Sequence, residues 1–163
     1  KKRLALSSWV LIGGLALLGG CASTPPAPVS IADTLARTPE LSTLNKLVAD
    51  AGLTDALRGT EPFTVFAPTN DAFQTVPAKT MTELAGNKDL LKSVLNFHVM
   101  PGALPAAAFT NTKTKSLQGA ELNLARAGGD FVTVEDALVV KADIAASNGM
   151  VHMVDRVLMP PKR

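Results

Sequence analysis

Apolar residues recur at three- and four-residue intervals as far as Leu95, whereas from residue 115 they fall into short alternating runs broken by turns. The chain is thereby committed to helices first and strands second. Thr38-Pro39-Glu40 predicts a helix start, with Thr38 as the cap and Pro39 in the first turn. Leu41, Leu44, Leu47, Val48 and Ala51 then supply one apolar face before Gly52 ends the helix. A short helical turn is expected at residues 54–57, and helical spacing returns at residues 77–84 and 87–95, separated by Gly86. Further on, Gly119, Ala127-Gly128-Gly129-Asp130 and Glu135-Asp136 divide the chain into hairpin-like strands, and a last strand-like element spans residues 150–159 before Pro160-Pro161. With one early strand at residues 63–67, this order predicts an α+β domain whose sheet is largely antiparallel. No internal repeat is visible.

The stretch "FTVFAPTNDAF", residues 63–73, places turn chemistry between two buried-looking aromatics. Pro68 fixes its own φ, and Thr69, Asn70 and Asp71 can hydrogen-bond the local backbone and start a helix. Phe66 and Phe73 are then expected to pack on opposite sides of the corner.

The N-terminal residues carry a cellular address. Lys1-Lys2-Arg3, the apolar run at residues 4–18 and small residues before Cys21 have the layout of a secretory signal over residues 1–20. Leu18-Gly19-Gly20-Cys21 resembles the bacterial lipobox, which makes Cys21 the expected lipidation site, with palmitate among its acyl chains. Residues 21–30 include Pro25, Pro26 and Pro28 and read as an extended tether. Residues 31–163 are expected to form a single domain. With Cys21 lipidated that domain has no cysteine for a disulfide, so packing must hold it together. Its charge is balanced: of 16 basic residues three belong to the signal, leaving 13 against 14 acidic ones. Such a balance lacks the basic footprint of a nucleic-acid-binding surface. Ala22 after the cysteine predicts sorting to the outer membrane in a cell with two membranes, on its periplasmic or surface face.

Three segments extend the reading. "FTVFAPTNDAF", "LNFHVMPG" at residues 95–102 and "NGMVHMVDRVLMP" at residues 148–160 resemble, in order and spacing, the signature segments of fasciclin-like domains. The resemblance covers essentially residues 31–160. It implies a fasciclin-like wedge: a mainly antiparallel, β-sandwich-like core with helices packed on one side. It also implies an adhesion or surface-interaction module rather than an enzyme. Many animal members have Tyr-His in the middle segment, the dipeptide associated with integrin adhesion. This chain has Phe97-His98 and no tyrosine, so integrin binding does not carry over.

His98 and His152 invite a metal reading with Asp71 or Asp155, but no ligand spacing supports one, and no serine sits in a nucleophile elbow. No metal, cofactor or catalytic group is expected. Strand alternation in "VHMVDRV" points His152 and Asp155 to opposite faces. His152 is expected to brace the corner formed by Pro68, Thr69, Asn70 and Asp71, with Asp155 in the same structural motif. His98 stands between a structural role and a place in a contact surface with Phe97, Met100 and Leu104. Two functions fit: a lipid-anchored module binding a surface protein, matrix component or glycan, or an envelope carrier or sensor holding a small ligand in an apolar cleft.

Overall fold

The computed structural model describes residues 29–128 and 131–161; the signal expected at residues 1–20, Cys21 and all but the last two tether residues lie outside the described residues. Ser30 caps a helix the spacing did not suggest, α1 (Ile31–Arg37), by accepting from the Asp33 amide at 3.2 Å. A 3-10 turn, Pro39–Leu41, leads into α2 (Ser42–Asp50). Thr38 does not cap it. Its hydroxyl turns back to the Thr34 carbonyl (2.8 Å), while the Thr43 amide is received by Asn70 Oδ1 (3.0 Å) from the distant corner. Gly52, at φ +71°, ends the segment as its sequence position suggested. A 3-10 turn follows at Ala56–Arg58.

Next come β1 (Phe63–Pro68), α3 (Asn70–Gln74), α4 (Ala78–Gly86), α5 (Lys88–Phe97) and a short strand, β2 (Val99–Pro101). Asn87 rather than Gly86 punctuates the two longer helices. Its side-chain oxygen accepts from the Asp89 and Leu90 amides at the start of α5. The second half is β3 (Thr112–Lys115), β4 (Glu121–Ala127), β5 (Phe131–Val134), β6 (Ala137–Ala146) and β7 (Gly149–Val154).

The seven strands form one sheet in the order β2-β1-β7-β6-β5-β4-β3. Every neighbouring pair is antiparallel except β1 with β7, which run parallel from Phe63 opposite Gly149 to Pro68 opposite Val154. The sheet nearly closes on itself, since the Leu117 amide just after β3 donates to the Val99 carbonyl of β2 at 2.8 Å. The expected α+β wedge is therefore present, with its strands curled into a near-barrel and its helices on one side.

The central strands are buried on both faces, which explains why "FTVFA" and "VHMV" read as continuous apolar runs. Phe63, Val65, Ala67, Val151 and Met153 face the helices and join Ile31, Leu35, Leu44, Leu91 and Leu95. Phe66 and Val154 face the barrel interior with Phe97, Phe109, Leu122, Leu124 and Val134. Phe66 and Phe73 consequently lie in different cores, as the turn between them required.

Candidate contact surface

The corner after β1 is a structural joint. Thr69 accepts from the Ala72 amide (3.3 Å) to start α3, and its own amide donates to the Val154 carbonyl at 3.1 Å. Asn70 Oδ1 receives Thr43 N–H while its amide group donates to the Pro39 carbonyl (2.9 Å), so the corner fixes the start of α2. Asp71 is exposed in the first turn of α3, where its charge suits the helix end. Asp155, just past the same end of β7, ties it to β6: its Oδ1 accepts from Leu138 N–H at 2.7 Å, and its own amide donates to the Leu138 carbonyl.

His152 does not reach this corner. Its Nδ1 receives the Asp143 amide at 3.1 Å and its Nε2 meets the Leu104 carbonyl at 2.9 Å. A carbonyl can only accept and an amide can only donate, so the proton resides on Nε2. The ring stacks on Phe66 at 5.9 Å and takes the edge of Phe109 at 5.1 Å. The expected brace is corrected: alternation set His152 on the face opposite Asp155, but its hydrogen-bond partners come from β6 and the segment after β2.

His98 uses the opposite tautomer. Nδ1–H donates to the Val94 carbonyl (2.8 Å), and bare Nε2 accepts from Leu158 N–H (2.9 Å), pinning the segment after β7 to the end of α5. Burial pushes its pKa down to about 4, against the opposing pull of the Val94 carbonyl. His152 is also lowered by burial, with the Leu104 carbonyl and the Asp143 charge acting in the other direction.

The contact surface expected around residue 98 is likewise corrected. Phe97, His98 and Met100 are buried in the core and Leu104 is half-buried, because α5 and β2 turn that side chain set inward against the barrel. Of residues 97–101 only Pro101, the last residue of β2, is exposed. Among the described residues there is no group of three or more His, Cys, Asp or Glu side chains placed to hold a metal ion.

Two structural residues carry the "NG" of the last signature segment. Asn148 is buried, and its Oδ1 accepts from Ile31 N–H (2.9 Å) while Nδ2 donates to the Leu57 (2.8 Å) and Gly59 (2.7 Å) carbonyls. Gly149, at φ +145°, lets β7 pass against β1, where a Cβ would collide with the Phe63 carbonyl.

What stays outside is an apolar area on β5 and β6. Val132 and Val134 point inward, which leaves Phe131 on the outer face at 60% exposure, and Val140 on the adjacent strand is 53% exposed. The phase was legible, since Phe131 falls on the odd side of "FVTV". An open groove of about 710 Å³ lies nearby, lined by charged and apolar groups including Glu121, Glu135, Asp136, Arg156 and Met159. The apolar cleft between helices and sheet, with Leu44, Phe63, Leu95 and Val99 in its walls, has only about 40 Å³. A ligand site usually needs about 300 Å³ or more.

A fasciclin domain family model matches residues 39–160. The chain is 42% identical over 135 residues to Protein sll1483 of Synechocystis, covering 82% of this chain and 74% of that protein. It is 40% identical to the cell surface glycolipoprotein MPB83 of Mycobacterium bovis, covering 80% of this chain and 60% of the relative. It is 38% identical to the transforming growth factor-beta-induced protein ig-h3 of Sus scrofa, of which it spans 20%. A solved FAS1 domain pair from the insect cell adhesion molecule Fasciclin I superposes with a TM-score of 0.65 at 17% identity, covering 81% of this chain and 51% of that one, a likeness of fold alone. Fasciclin domains thus occur in adhesion and cell-surface proteins, and the extent of the family match together with these identities shows that this chain belongs to the fasciclin domain family.

Proposed function

We propose that this chain is a lipid-anchored, non-enzymatic interaction module of the bacterial cell envelope, held by Cys21 and presenting the outer face of β5 and β6 to a surface protein, matrix component or glycan. The observation that carries the reading is the exposure of two large apolar side chains, Phe131 and Val140, on the neighbouring strands β5 and β6, outside both cores. Apolar side chains left in water on a rigid sheet face cost little to order on binding and gain on being covered. The match to a cell surface glycolipoprotein supports the address, and the small volume of the apolar cleft favours surface contact over a carrier role. Palmitate labelling of full-length protein tests the anchor, because Cys21→Ser should abolish the label. Envelope cross-linking and cell clumping test the surface. Phe131→Ser with Val140→Ser should reduce both while leaving the melting temperature nearly unchanged, and undiminished cross-linking would move the contact elsewhere.

A further inference from the structure

Residues 102–109, "GALPAAAF", run past β1, β7 and β6 without forming a strand. At its first end the segment is held by Gly102 N–H on the Pro62 carbonyl (2.8 Å), by Thr64 Oγ1 donating to the Gly102 carbonyl (2.6 Å) and by Leu104 N–H on Thr64 Oγ1 (2.9 Å). Phe109 plugs the far end into the barrel interior, 6.1 Å from Phe66. Between these ends, the segment is fastened through one imidazole and one carboxylate. Leu104 presents its carbonyl to His152 Nε2, and Ala106 N–H, at the start of the 3-10 turn Ala106–Ala108, donates to Asp143 Oδ1 at 2.8 Å. Asp143 in turn gives its own amide to His152 Nδ1. Its backbone is left-handed, at φ +56°, within the irregular stretch of β6 where the pairing with β7 shifts register between Lys141 and Ile144. A β-branched or bulky residue would resist that conformation, whereas aspartate tolerates it. The bulge is what turns the Asp143 amide toward the ring.

We infer that His152 is an acid-sensitive latch: a second proton on its ring forces Nδ1–H against the Asp143 amide, unfastens the β6 bulge and with it the tie from Asp143 that holds residues 102–109 at Ala106.

The proton has one place to go. Nε2 already carries hydrogen for the Leu104 carbonyl, so the added proton occupies Nδ1, and the acceptor of the Asp143 amide becomes a donor. Two facing donors cannot share a bond, and the amide must swing away or stay unsatisfied. The groups around the ring are few. Phe66 and Thr64 from β1 and all of residues 102–109 are uncharged. From β6 come the Asp143 carboxylate, already occupied by the Ala106 amide, and Lys141, which is exposed. Attraction to Asp143 favours the protonated ring, but burial beside two phenyl rings outweighs it, so the latch is closed near neutrality and opens only in acid. Opening would release the Ala106 amide from Asp143 while the Leu104 carbonyl stays on Nε2–H.

Amide hydrogen exchange on the full-length protein tests this at pH 7.5 and pH 5.0, with rates corrected for intrinsic pH dependence. In the native sequence the Asp143 and Ala106 amides should exchange about five- to tenfold faster at pH 5.0. His152→Gln keeps one donor and one acceptor on a side chain that does not titrate, and its exchange at these amides should change by less than about twofold. Equal acceleration in both proteins overturns the latch. Acceleration shared by the amides of β4 and β5 is global loosening, to which His98 contributes, so the latch is also overturned when Asp143 and Ala106 accelerate no more than those amides. Should the variant fail to fold, NMR titration of the His152 ring in the native sequence decides. A midpoint below about 6.5 that coincides with release of the Asp143 amide supports the latch, and a midpoint at or above 6.5 overturns it.

Discussion

Replacing Asn148 with alanine should be among the most damaging single changes available in this domain. The side chain connects three pieces of backbone that are distant in sequence: the first amide of α1, and the Leu57 and Gly59 carbonyls around the short turn before β1. The bonds to Ile31 and Leu57 are fully buried and the one to Gly59 partly so. An orphaned buried donor or acceptor costs about 1–3 kcal/mol. Two buried orphans and one with partial access to water therefore predict a loss of about 3–5 kcal/mol. That is a large share of the roughly 5–15 kcal/mol that holds a domain together. Urea denaturation followed by far-ultraviolet circular dichroism is the suitable assay, because the only tryptophan is Trp9 and the chain has no tyrosine. The midpoint should fall at an unchanged slope. Asn148→Asp provides the discriminating control. It preserves the acceptor for Ile31 N–H but turns a donorless carboxylate toward two carbonyls, so it should be at least as destabilising as alanine. A loss below about 1 kcal/mol for alanine, or a milder effect for aspartate, would refute the assignment of the clamp.

His98 should make stability fall in acid. Its folded pKa lies below the unfolded value, so its contribution is complete above about pH 6.5 and is lost as pH falls toward about 4. From pH 7.5 to pH 5.0 the loss from this residue should be about 2 kcal/mol, read from urea midpoints, and His98→Gln should remove most of that dependence. Gly149→Ala should prevent β7 from seating against Phe63 and yield little folded protein, visible as lost cooperative melting.

The sequence by itself determined the features whose causes lie within a few residues. The change from helical to alternating spacing divides the domain where the structure does, Gly52 ends the helix region, and Glu135-Asp136 closes the hairpin between β5 and β6. Pro68-Thr69-Asn70-Asp71 turns the chain and separates Phe66 from Phe73, because alternation on a strand entering a tight turn is a local property. The three signature segments pointed to the family because their order survives as text. Other features depended on what arrives from elsewhere in the chain. Thr38 had the right chemistry for a cap, yet Asn70 reached the helix start first. Alternation gave the face of His152 but not its partners, which come from the bulge at Asp143 and the carbonyl of Leu104. Phe97, His98 and Met100 were candidates for a contact surface and became interior, since the parallel pairing of β1 with β7 and the closing contact from Leu117 wrap the sheet around them. A side chain's period can be read from its neighbours, but its burial and its hydrogen-bond partners are set by segments that meet only when the sheet curls.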